Sequence, residues 1–230
     1  MKKRFHILFL LFGTVFFATN AQIVVTTPYE YAYGVSSGAT FSSISFTPNV
    51  LQSMKQGITL GLTGRMLMGK NVGVQLELNY VQQGWKERYE DDDGKPLNEY
   101  NYSRLINYIQ LPFHTRVQFN LAGDHVKWFA CAGPQIGYMI GESTRENLNG
   151  TNPGKEGRQH NMPVTKKFEW GISGGIGIEI CTGIGNFVLE GRYFYALGDI
   201  YSARREDYFS KSSSQIITAK ISYLIPVKKF

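Results

Sequence analysis

Cysteine is scarce in this sequence: Cys131 and Cys181 are the only two in 230 residues. Two thiols supply neither a disulfide scaffold nor a structural zinc site, and they leave open one bridge at most. Long apolar runs are missing as well. Beyond Phe17 no stretch reaches the ~18 uninterrupted apolar residues of a membrane-spanning helix. Strong charge of one sign is also absent, since the formal net charge is only +6 and Lys2, Lys3 and Arg4 supply part of it. So modest a surplus reads as ordinary solubility charge and gives no reason to expect a nucleic-acid partner.

Met1, Lys2, Lys3 and Arg4 precede the apolar residues 7 to 17, and Ala18, Thr19, Asn20 and Ala21 follow. A basic start, a short apolar stretch and small residues before a cut describe a secretory signal peptide over residues 1–21. Residues 22–230 are then the mature domain, and its formal charge falls to about +3. No cysteine stands at the cut, which argues against a lipoprotein anchor. With no spanning helix, a bilayer crossing requires a closed barrel, which satisfies every backbone N–H and C=O inside hydrocarbon.

What the mature chain does contain is alternation. Val72, Val74, Leu76, Leu78 and Tyr80 share one face, and Gly73, Gln75, Glu77 and Asn79 the other. That is the period of a β-strand with one apolar side. The preceding segment repeats it, with Ile58, Leu60, Leu62, Met66 and Met68 against Thr59, Gly61, Thr63 and Arg65. Similar segments span 33–45, 104–119, 126–141, 168–181, 187–198 and 215–227, which makes eight in all. The links alternate between short (69–71, 120–125, 182–186) and long and polar (46–56, 86–103, 142–167, 199–214). Short periplasmic turns and long outer loops characterise outer-membrane barrels. The expected fold is therefore all-β: one eight-stranded antiparallel up-and-down transmembrane barrel.

Alternation alone does not say which face points outward, so a soluble lipocalin-like barrel is the rival. Three features favour the membrane. The polar face carries Arg65, Arg116, Arg192 and Lys220 against Glu77, Glu169, Glu179 and Glu190, a balanced set able to pair in a narrow lumen. The apolar face carries Tyr80, Trp128, Tyr138, Trp170 and Tyr193, suited to interfacial girdles. Phe230 directly follows an alternating last strand, similar to the terminal signal read by the outer-membrane insertion machinery. Pro112 and Pro134 fit least well because each removes a ladder donor, and a shared bulge between their strands is the expected accommodation.

Four stretches resemble a known family. They are residues 76–86 (Leu76 to Lys86, including Gln82, Gln83, Gly84 and Trp85), residues 107–112 (Asn107 to Pro112), residues 132–138 (Ala132 to Tyr138), and residues 191–194 (Gly191 to Phe194). Together they are similar to the outer-membrane β-barrel domain proteins of Bacteroidota known as PorT-family or porin-family proteins. The resemblance covers essentially the whole mature chain and both prolines. It implies the fold and the outer membrane, and it offers an accessory role in protein secretion as one precedent, but it defines no catalytic or binding residue to carry over.

The residues with most chemical potential are the inward ones: Arg65, Glu77, His114, Arg116, Glu169, Glu179, Glu190, Arg192 and Lys220. An ionised group at membrane depth is costly unless paired or hydrated. An eight-stranded barrel has room only for its own side chains, so these groups are expected to plug the lumen as a salt-bridge network. His114 beside Arg116 is the one acid–base candidate, yet no Ser, His and Asp grouping accompanies it. The glycines between Gly171 and Gly177 lack the Lys and helix of a phosphate loop. Glu90, Asp91, Asp92, Asp93 and Gly94 fail the calcium-loop pattern, with Tyr89 at its first position and Tyr100 at its closing one. The third long link, with Asn152, Pro153 and Gly154, reads as mobile and exposed.

The expected function is non-enzymatic: a structural or docking barrel, accessory to a secretion or uptake assembly, with no cofactor and no metal. Its expected partners are outer-membrane lipid and lipopolysaccharide, the insertion machinery, and a secretion or transport complex. The alternatives are a narrow pore gated by the lumen arginines, and a rim enzyme dependent on His114.

Overall fold

The computed structural model describes residues 29–89, 101–122, 125–147, 160, 162–202 and 208–227. The signal segment 1–21, the acidic tract 90–94, residues 152–154 and Phe230 lie outside the described residues.

Eight antiparallel strands close into one barrel in sequence order. They are β1 (Tyr29–Thr47), β2 (Gln52–Met68), β3 (Val72–Glu87), β4 (Asn101–Ala122), β5 (Val126–Asn147), β6 (Phe168–Thr182), β7 (Gly185–Asp199) and β8 (Lys211–Val227). Seven seams join successive strands, and β1 with β8 supplies the eighth, so no edge is left unpaired. Following partners from Tyr29 through Met68, Val72, Val117, Ala130, Ile176, Gly191 and Ala219 returns to β1 at Ala39, ten residues further along. Ten residues of stagger across eight strands imply a tilt of about 40° and a backbone radius of about 8 Å. A lumen that narrow holds side chains and little else.

The strands are longer at the outer end than period-two reading suggests. The first long link, expected over 46–56, shrinks to residues 48–51, because β2 begins at Gln52. Likewise β5 continues to Asn147, beyond the expected end at 141. Above the hydrocarbon neither face has to be apolar, so these extensions carry no alternation to read. A crossing needs only ~10 residues, and the excess forms an outer collar.

Burial inverts the soluble pattern. On β4, Ile109, Leu111 and Phe113 face out while Tyr108, Gln110, His114 and Arg116 are buried. On β6, Trp170, Ile172, Ile176 and Ile178 face out against buried Glu169, Ser173 and Glu179. Charged residues inside and aliphatic ones outside contradict a lipocalin-like barrel, which needs the reverse. Two aromatic levels bound the aliphatic band. Near the short turns, Phe119 stacks on Trp128 at 5.0 Å and Phe187 meets Tyr223 at 5.1 Å. Tyr138, Phe168, Trp170 and Tyr193 stand exposed at the other level. Gly69 at the first tight turn takes φ 71°, where a side chain would strain the backbone.

The prolines are accommodated differently from the expected shared bulge. Pairing breaks between Leu76 and Asn79 on the β3–β4 seam, and between Pro112 and Thr115 on the β4–β5 seam, with the register unchanged across both gaps. Each proline blanks part of one seam while the flanking ladder holds the strands in step. Beside this gap Gly133 lets the backbones close: a Cβ there would lie 2.0 Å from the Phe113 carbonyl oxygen. Gly133→Val is expected to force β4 and β5 apart and lower stability by about 2–3 kcal/mol. Urea unfolding of the refolded barrel in detergent, followed by tryptophan fluorescence, measures this, and an unchanged midpoint refutes the close-approach account.

Candidate functional site

Inside the barrel the side chains form three layers beneath an aromatic cap. In the lowest layer, nearest the short turns, Glu179 of β6 is the hub. Arg65 of β2, on the opposite wall, donates through Nη1 and Nη2 to its two oxygens at 2.6 and 2.8 Å. Asn186 adds a bond of 2.6 Å, and Arg116 Nη2 donates to Glu179 Oε2. The Arg116 guanidinium also lies 3.6 Å from the centre of the Phe129 ring, so an aromatic face supports the second cation where the carboxylate is shared.

The middle layer joins Glu77, Glu190, Arg192 and Lys220. Glu77 of β3 accepts from Arg192 of β7 at 2.9 and 2.8 Å, straight across the barrel, and from Lys220 at 2.8 Å. Gln75 and Asn79, its neighbours on the same face of β3, donate to it at 2.5 and 2.8 Å. Glu190 takes Arg192 Nη2 at 2.6 Å and lies 3.6 Å from Lys220. Two carboxylates and two cations are thus mutually neutralised in one plane, the condition under which buried charge is tolerable.

Glu169 departs from the expected ion network. Among the described residues it meets no cation; Gln83 donates to it at 3.0 Å and Gln110 at 3.4 Å, and Gln135 continues the chain to Gln110 at 2.9 Å. Amides replace ions because the four cations are committed lower down. His114 also stays outside the ion pairs, 2.6 Å from Ser173 Oγ and fully buried. A cavity of about 20 Å³ beside Asn79, Gln110, Gln135, Arg192 and Lys220 has room for about one water. Cys131 and Cys181 are free. Cys131 pairs in register with Gly175, six residues along β6 from Cys181, so no bridge forms between them.

The cap escaped sequence reasoning. Phe46, Trp85, Tyr102, Ile106, Tyr108 and Met139 turn inward from the collar and meet Val164, Ile200, Tyr201 and Phe209 from the long links. Phe46 contacts Trp85 edge-on at 5.4 Å and Phe209 at 4.9 Å. Polar groups tether the links. Arg104 donates to the Met162 carbonyl at 2.6 Å and to Glu142 at 2.5 Å, and His160 reaches Glu87 at 2.7 Å while stacking on Tyr102 at 3.7 Å. Burial, with the Glu87 carboxylate alongside, pushes the Tyr89 phenol above its ordinary range, so it stays protonated and donates to Glu87 at 3.0 Å. The third link was expected to be exposed and mobile, yet its described residues 160 and 162–167 include Val164 in the core and Met162 and His160 against it. The available signal was large aromatics at inward positions, Trp85, Tyr102 and Tyr108, beyond the last lumen charge.

An apolar outer wall, two aromatic levels and a charge-filled interior define a small membrane-spanning β-barrel. The chain belongs to the family described as outer membrane protein beta-barrel domain, whose model matches residues 20–202. Among solved structures it is similar to Ail, the attachment invasion locus protein of Yersinia pestis, crystallised with the heparin analogue sucrose octasulfate. That pair is 11% identical over 85% of this chain and 99% of the other, with a TM-score of 0.41. It is also similar to OprG from Pseudomonas aeruginosa, at 11% identity over 86% and 96% of the two chains and a TM-score of 0.39. Neisserial surface protein A follows the same pattern, at 11% identity over 84% and 96%, with a TM-score of 0.40. The sequence has no significant match among curated proteins.

Because Glu179 is ion-paired with two buried arginines, Arg65 and Arg116, Glu179→Gln is expected to cost about 3–5 kcal/mol. Replacing Arg65, Arg116 and Glu179 together by Met should recover much of the loss. Urea midpoints of the two variants test this, and a Glu179→Gln protein as stable as the parent would remove the hub role.

Proposed function

We propose that this protein is exported through a signal peptide at residues 1–21, that residues 22–230 form its outer-membrane domain, and that its role is docking rather than catalysis or conduction. The observation that carries the reading is the filled interior: three polar layers and an aromatic cap occupy the axis from the short turns to the long links. With the interior occupied, the outer collar, the long links and the lipid-facing wall are the surfaces left for function. His114, the acid–base candidate of the sequence, lies at mid-lumen, away from the rim where an enzyme would meet lipid or peptide, and His160 at the outer end is stacked on Tyr102 and bound to Glu87 within the cap.

The likeness of residues 76–86, 107–112, 132–138 and 191–194 to PorT-family proteins of Bacteroidota supports a narrower version, an accessory subunit of a protein secretion or uptake assembly. Lipopolysaccharide and the barrel insertion machinery are then partners of its biogenesis, and a secretion or transport complex is its working partner. Brief cross-linking in the native outer membrane, mild detergent extraction and mass spectrometry should recover large transport or secretion components with the tagged protein. Recovery of the barrel alone would reject the accessory role. In planar bilayers the protein should give no stable conductance, either as the parent or as Arg116→Gln. A channel that opens on this substitution would instead establish the gated pore.

A further inference from the structure

The eight seams leave no open edge at membrane depth, but above it β5 outlasts its neighbour. The last pairing of β5 with β6 is Tyr138 with Phe168, and the Met139 N–H then donates to the Lys167 carbonyl at 2.8 Å. There the third link leaves the wall. Lys166 donates to the Ile200 carbonyl at 3.1 Å, Val164 enters the cap core, and His160 stacks on Tyr102. β5 nevertheless runs on to Asn147, paired on one side with residues 101–107 of β4. Among the described residues no strand or link pairs with its other side above Met139.

Chirality determines which groups that side presents. In a strand of L-residues, all side chains on one face send their backbone N–H and C=O the same lateral way. Met139 is buried, hence inward, and its N–H goes to the β6 side. The bulge opposite Asn107 and Tyr108 changes the inward set of β5 from odd to even residues. Glu142, Thr144 and Glu146 pair with Ile106, Arg104 and Tyr102, all buried, so they share the inward face. Their N–H and C=O groups therefore point off the free edge, while those of Ser143 and Arg145 serve the β4 seam. Residues 142–147 are exposed, and no proline or further bulge guards the edge, which is about 20 Å long. Ile140 is the last exposed apolar residue of β5, so the edge stands above the lipid-facing band.

Charge around the edge is uneven. Glu142 is committed to Arg104, which leaves Glu146 as the acid. Arg145 on the outer face, and Lys166 and Lys167 at the foot of the edge, are exposed and form no ion pair among the described residues. We propose that this edge binds an acidic, extended segment of a partner protein outside the cell, which adds a strand antiparallel to β5 in the place that β6 vacates. Backbone hydrogen bonds to Glu142, Thr144 and Glu146 hold the segment, and its carboxylates meet Arg145 and, at one end, Lys167. Three cations against one carboxylate select an acidic segment over a basic one. A second copy in the same membrane has its β5 running the same way up, so it cannot supply the antiparallel strand. The inference rests on the docking reading with long links outward, and it names the surface and the chemistry of the partner.

The test uses the full mature protein refolded in detergent and the fluorescence anisotropy of two labelled octapeptides, one alternating Thr with Glu and one alternating Thr with Lys. The Thr/Glu probe should bind the parent roughly tenfold more tightly than the Thr/Lys probe, and R145E/K167E should reverse that preference. Thr144→Pro removes the central free N–H without touching the β4 ladder, and should weaken Thr/Glu binding roughly tenfold. With the carboxylates on the outer face of an antiparallel strand, the Thr N–H groups of the probe face β5. N-methylating those Thr residues should abolish binding to the parent, and N-methylating the Glu residues should spare it. An equal response to the two methylations overturns the edge, as does unchanged binding by a Thr144→Pro protein that still migrates as a folded barrel before boiling. Equal affinity for the two probes overturns the acidic assignment, and a dimer in sedimentation that Thr144→Pro dissolves gives the edge to a second copy instead. If Thr144→Pro fails to fold, the methylated probes decide alone. Binding of neither probe overturns this surface and leaves the docking reading to the cross-linking experiment, whose failure to recover secretion components would in turn leave a positive probe result intact.

Discussion

Every feature of this barrel follows from the cost of leaving a backbone N–H or C=O unpaired in hydrocarbon. That cost, several kcal/mol per group, requires the eighth seam between β1 and β8, and closure at eight strands with a ten-residue stagger sets a narrow lumen. Narrowness then governs the interior. Arg65 reaches Glu179 and Arg192 reaches Glu77 from strands on opposite walls, at 2.6–2.9 Å, because the walls are one pair of long side chains apart. In a wider barrel the same residues would line water instead of meeting.

The outer end obeys a different constraint. Beyond the hydrocarbon the strands gain nothing from an apolar outer face, and the collar instead turns Phe46, Trp85, Tyr102 and Tyr108 inward to form an ordinary hydrophobic core with the link residues Val164, Ile200, Tyr201 and Phe209. The molecule thus combines two solvents' rules in one sheet: polar inside where lipid surrounds it, apolar inside where water does. The change between the two coincides with a bulge on β5, above which that strand reverses which residues face in.

Much of the architecture was legible because parity along a strand is local. Ile58 to Met68, Val72 to Tyr80 and Leu105 to Phe119 declare their faces residue by residue, and turn composition marks the tight links. Strand ends were not legible where the surroundings ceased to be hydrocarbon, which is why residues 52–56 and 142–147 read as loop. The aromatic cap depends on which links fold inward, and no short-range pattern encodes that. Nor does parity survive a bulge, so Arg145 stands outside where counting from Met139 would place it inside.

The sequence by itself determined the class of fold, the number of strands, and which residues within the hydrocarbon band share a face, since all of these depend on periodicity within about ten residues. Only the tertiary structure decided partners. Stagger chose Glu77 for Arg192 and Glu179 for both Arg65 and Arg116, and left Glu169 to the amides of Gln83 and Gln110. Those choices depend on how strands half a barrel apart come to the same height, which is a property of the closed ring and of no segment within it.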